Sequence, residues 1–103
     1  WKPDVLADAT GRVRNTKPER WTGITANRGL GVVIAGDDGR SNLRGFGHTN
    51  SGRTFGHNGA GGQIAWADPE SGISFAYLTN GLDANVIRQG RRGIALSSLA
   101  AKC

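Results

Sequence analysis

The run Phe55, Gly56, His57, Asn58, Gly59, Ala60, Gly61, Gly62, continued by Gln63, Ile64, Ala65, Trp66, Ala67, Asp68, Pro69, constrains the fold more than any other part of this chain. Between Asn58 and Gln63 the side chains almost vanish, so the backbone is free to reverse in a tight turn. Strand-forming residues flank that turn on both sides. The run therefore predicts an antiparallel pair, Thr54 to Gly59 and Gln63 to Ala67. It also places a hydrogen-bonding imidazole, His57, beside a turn whose backbone N–H groups have little to cover them, an arrangement suited to facing a ligand.

The neighbouring segments extend the pattern. Asp68, Pro69, Glu70, Ser71 and Gly72 supply loop chemistry before a third strand, Ile73 to Asn80. In that strand Ile73, Phe75 and Tyr77 share one face and Ser74, Ala76 and Leu78 the other. Both faces are largely apolar, which predicts a central strand covered on each side. Upstream, Gly29 to Gly36 is a β-branched run closed by the turn signal Gly36, Asp37, Asp38, Gly39, and a returning strand near Leu43 to Gly47 would make a hairpin.

Asp83 is placed to cap a final helix running to about Ala100. Val86, Ile87, Gly90, Ile94 and Ala101 fall on one stripe of it. Gly90 and Gly93 each weaken such a helix by about 1 kcal/mol relative to Ala, a cost that fits a helix lying close on a sheet. Residues 1–28, with Pro3, Thr16, Pro18 and many charges, read as an irregular lead-in with one short helix near Asp4 to Val13. The fold class is α+β: an antiparallel β-meander over residues 29–103 with a packed C-terminal helix. A second layer for the other sheet face is not obvious in the chain.

Composition limits what 103 residues of this kind can do. Leu, Ile, Val and Phe make up about a fifth of the chain, close to the level at which a core becomes hard to form, and seventeen Gly add backbone entropy. A marginal domain or a piece of a larger one is expected, and Trp1 in place of an initiator Met reads the same way. The net charge of +5 comes mostly from Arg residues scattered among acids, with no basic run longer than Arg91, Arg92, so a solvated surface is the reading. Cys103 stands alone, which rules out an internal disulfide, and by itself it makes no metal site.

The Phe55 to Pro69 run resembles the third signature motif of the serine β-lactamase and penicillin-binding-protein superfamily, the Lys-Thr-Gly of β-lactamases. Here it takes the His-x-Gly form of class C-like esterases and D-aminopeptidases. The apolar strand ending Thr79, Asn80 and the last helix agree with that family from about Gly29 onward. The resemblance implies that the segment belongs to a β-lactamase/transpeptidase-like α/β domain of a bacterial serine hydrolase. It implies that His57, Asn58 and Gly59 occupy the Lys-Thr-Gly positions and that the Ala60 N–H is one of two oxyanion donors. Gly61, with Asn58 and Gly59, would line the substrate. His in place of Lys favours an esterase or amidase on small acyl substrates.

The family's nucleophile motif, Ser-x-x-Lys, is not in this chain. No Ser is followed by Lys three residues on, and Tyr77 is one residue too far from Asn80 for Tyr-x-Asn. The expectation is that this segment is the C-terminal portion of a parent enzyme, inactive by itself, whose missing N-terminal portion supplies the Ser. No metal or organic cofactor is implied. His48 and His57 without further ligands make a weak metal site.

Two other readings stand beside this one. Arg44, Gly45, Phe46, Gly47, His48 opens like an RNA-recognition octamer, although His48 and Ser51 replace its aromatics, giving a small basic RNA-binding module. The other is a non-catalytic, truncated chain that complements a partner through a strand edge. Trp66 is open to two readings, core or acyl-pocket wall, and Trp21 reads as a lid or packing residue.

Overall fold

The computed structural model describes residues 1–103. Along the chain come α1 (Pro3–Gly11), β1 (Val33–Ile34), a 3-10 turn (Ser41–Arg44), β2 (Phe55–Asn58), β3 (Ile64–Asp68), β4 (Ile73–Tyr77) and α2 (Val86–Ala100). The four strands form one antiparallel sheet in the order β1-β2-β3-β4, so the α+β meander with a terminal helix is the observed fold.

The β2–β3 turn works as the glycines predict. Gly61 and Gly62 take φ of 85° and 90°, the left-handed region where a Cβ is strained. Gly59 N–H donates to Gln63 O at 2.8 Å and closes the hairpin. The register that follows pairs His57 with Ala65 and Trp66 with Phe75.

Side chains alternate across the sheet, so Val33, Gly56, Trp66 and Phe75 form one row on the face that meets α2. The core grows there from Val33, Ala35, Phe46, Ile64 and Trp66, with Ile73, Phe75, Tyr77, Ala100 and Ala101 packed against it. Trp66 and Phe75 rings lie 5.4 Å apart. The Trp66 indole N–H donates to Ser97 Oγ at 3.1 Å, which satisfies both groups where water has no access.

Four expectations are corrected. The segment Leu43 to Gly47 is no strand, and β1 pairs instead with β2. The cause is Arg44, whose buried guanidinium donates to Thr25 O (2.9 Å), Ala35 O (2.7 Å), Thr25 Oγ1 (2.7 Å) and both Asp38 oxygens. That clamp draws the chain under the end of β1, and Gly45 at φ 94° ends the turn.

β4 is an edge strand rather than a central one, with Ser74 and Ala76 exposed, because the sheet ends there. The cap of α2 is Asn85, whose side chain accepts the Arg88 N–H at 2.9 Å; Asp83 instead binds the Arg88 guanidinium and the Asn85 N–H. Finally, α2 touches the sheet through its second half, at Ser97 and Ala100, while Val86 and Ile87 stay exposed. A Cβ at Gly90 or Gly93 would meet nothing within 4 Å, so those glycines do not mark close packing; they line a cavity of about 280 Å³.

The lead-in has the short helix expected, with no buried residue. After it, bridges Asn15↔Arg28 and Pro18↔Thr25 fold residues 15–28 back on themselves, and Ile24 and Ala26 bury against the body. On the far side Asp68 ties the 51–54 loop to the β3–β4 turn by accepting from Ser51 N–H, Ser51 Oγ, Thr54 Oγ1 and Glu70 N–H. Burial pushes its carboxyl up, but those bonds, Ser51's first, together hold it below the usual carboxylate value.

Candidate functional site

The end of β2 is half unpaired. β1 reaches only Phe55 and Gly56, so beyond Gly56 the outer edge of β2 has no neighbouring strand. Gly59 bonds Gln63 across the hairpin, and in an antiparallel ladder the residues alternate in the side to which their backbone groups point. His57 therefore faces Ala65 with its N–H and C=O, and Asn58 turns its own toward the open edge. Past the strand, the N–H groups of Ala60 and Gly61 find no acceptor in the chain. Two free donors next to each other, at an exposed turn beside a strand edge, can hold an anionic oxygen or a carbonyl.

The His57 ring lies on the exposed side, with Nδ1 2.5 Å from Asn58 O. A carbonyl can only accept, so the Nδ1 of the neutral ring carries the proton and Nε2 is left as an acceptor toward solvent or substrate. His57 shares its row with Ala65 and Ala76, on the face away from α2. Asn58 points to the opposite face, over Gly45, where an added Cβ would sit 3.1 Å from the Asn58 amide. Gly61 lies so close to Leu82 that a Cβ there would come within 2.1 Å of its Cδ2.

His57, Asn58, Gly59, Ala60 and Gly61 are thus assembled by one strand end and one turn. His48 is not part of the group, since its N–H donates to Ser98 Oγ on α2. The RNA-recognition reading loses its surface: Arg44 and Phe46 are 7 % and 1 % exposed, so neither can stack on a base. Trp66 is core, and Trp21 is 92 % exposed.

Sequence reasoning missed the polar cluster at the start of α2. Asp83 is paired with Arg88 and, at 3.8 Å, with Arg92, and the Arg88 guanidinium with the Asn85 N–H holds its carboxyl down at about 2. The Asp83 to Arg88 spacing of five residues was the available signal.

A family model described as Beta-lactamase matches residues 5–100, so the likeness read from Gly29 onward reaches back through the lead-in. Among curated proteins, the chain is similar to one named Esterase/beta-lactamase LipL from Mycobacterium tuberculosis (strain ATCC 25618 / H37Rv), with 44 % identity over 39 residues. That alignment covers 38 % of this chain and 9 % of the mycobacterial protein. No solved structure matches.

Proposed function

Because the chain belongs to the beta-lactamase family, we propose that it is the C-terminal part of a serine hydrolase that cleaves a small ester or amide through an acyl-enzyme. The observation that carries this reading is the pair of free N–H groups at Ala60 and Gly61, beside His57 on an unpaired strand edge. The nucleophilic Ser and its Lys come from a preceding portion of the parent enzyme. Attack on the carbonyl carbon places negative charge on its oxygen, and the Ala60 N–H stabilises that charge together with the Ser's own N–H. Asn58, Gly59 and Gly61 line the substrate.

His57 has the geometry to orient the acyl group or to accept a proton at Nε2, because Asn58 O fixes its tautomer. Water then releases the acyl group by the reverse path. By itself the 103-residue chain forms no acyl-enzyme, since no Ser in it has a Lys three residues on.

The test is a fluorophosphonate probe applied to the parent enzyme and to this chain. The expected result is labelling of the parent at a Ser outside these residues, with no labelling of the chain. In the parent, Ala60→Pro removes the donor and lowers kcat/KM about 100-fold or more, whereas Ala60→Val, which keeps the N–H, costs much less. Equal losses in the two variants, or an unlabelled parent, overturn the reading.

A further inference from the structure

A second feature lies along the same strand edge. Residues 18–25 form a tight hairpin, with Pro18 bridged to Thr25, Glu19 N–H donating to Ile24 O at 2.7 Å and Gly23 N–H to Glu19 O at 2.8 Å. Its base is anchored by buried Ile24 and by the Arg44 bonds to Thr25. On its tip Trp21 stands 92 % exposed. An indole held in water on an anchored hairpin gives up burial that Ile24 and Ala26, a few residues away, obtain.

The hairpin walls a cleft of about 200 Å³ that runs from Trp21 over Ala26, Val33 and Leu43 to Asn58. Asn58, at one end of the cleft, precedes Ala60 by two residues, which holds their Cα atoms within roughly 7 Å of each other. Its charges are spent: Arg28 is paired with Glu19, and Arg44 with Asp38. No unpaired cation waits there for a carboxylate. The volume falls below the roughly 300–1000 Å³ of sites that enclose drug-sized ligands.

We propose that the cleft between the Trp21 hairpin and Leu43 is the acyl-group subsite of the hydrolase, and that it takes a short, uncharged, apolar acyl chain. This rests on the reading given under Proposed function. The acyl group rather than the leaving group fits because it stays on the enzyme between the two chemical steps, so it is the part that gains from a walled cleft. Trp21 supplies the apolar wall and sets the preference for chain length; it touches no reacting atom.

The experiment uses the parent enzyme and the p-nitrophenyl esters of acetate, butyrate and hexanoate, in which the leaving group is constant. Trp21→Ala lowers the hexanoate-to-acetate ratio of kcat/KM about tenfold, and Trp21→Phe restores most of it. Trp1→Ala, which removes an indole that does not line the cleft, leaves the ratio unchanged. An unfolding midpoint of Trp21→Ala that stays at the wild-type value separates a subsite from a structural role. A ratio that stays at the wild-type value in Trp21→Ala, or that falls equally in Trp1→Ala, overturns the proposal. Failure of the wild-type parent to react with the fluorophosphonate probe overturns the underlying hydrolase reading instead.

Discussion

Arg44→Met removes every bond of the clamp while keeping a side chain of similar length in its place. Two backbone carbonyls lose their donor. Ala35 is fully buried, so its oxygen is stranded at about 1 to 3 kcal/mol, whereas Thr25 is exposed and its oxygen is rehydrated at little cost. The ion pair to Asp38 adds less than a buried pair would, because the Asp38 side chain is 42 % exposed. The expected destabilisation is about 2 to 3 kcal/mol.

Urea unfolding followed by tryptophan fluorescence reads this directly, since Trp66 is buried while Trp1 and Trp21 are exposed in both states. The pH dependence gives an independent sign. Hydrogen bonding to Arg44, ahead of the Arg40 N–H, holds Asp38 at about 2, below its ordinary 3.8. A lowered carboxylate pKa stabilises the fold above about pH 4 and loses that contribution as pH falls toward 2. In Arg44→Met this acid-side loss shrinks. A variant within about 0.5 kcal/mol of wild type, or one with the same acid profile, refutes the clamp as the reason residues 41–45 turn rather than pair.

Ser97→Ala leaves the buried Trp66 indole N–H without its acceptor and costs about 1 to 2 kcal/mol by the same urea titration, with a shift in Trp66 emission as water or a new partner reaches the ring. Asp68→Asn loses charge-assisted bonds to Ser51 and Thr54 and costs about 2 to 4 kcal/mol. Because the folded Asp68 pKa is lowered, its stabilisation is present above the ordinary carboxylate value and disappears on acidification, so the wild-type and Asp68→Asn melting temperatures converge at low pH.

What the sequence made legible is what short-range chemistry decides. The β2–β3 hairpin follows from glycines that must take positive φ, and the β3–β4 turn from an Asp-Pro start and a Gly72 at φ 75° whose N–H returns to Asp68 O. The candidate site is legible for the same reason, since His57 to Gly61 are consecutive and one turn assembles them. Period two even fixes that His57 and Asn58 leave the strand on opposite faces.

The misreadings arise where a residue answers to something distant. Residues 43–47 follow a strand and a turn signal and so read as a returning strand, yet Arg44 bonds Thr25, nineteen positions earlier, and that bond decides the path. The apolar content of Ile73 to Leu78 argues for a central strand, but position in a sheet depends on which other strands are present. Ser97 looks like half of a Ser-Ser pair on a helix, and only the indole thirty-one positions earlier makes it a core residue.

The same division separates the two halves of the proposed chemistry. An oxyanion donor is a backbone group and needs only a local turn to aim it, so a chain of this length can carry it complete. A serine nucleophile needs a base on the next helical turn, and that pair has to be carried into register with Ala60 by a separate element. Under the proposed reading that element meets the open edge of β2 beyond Gly56, where no strand of this chain lies beside Asn58.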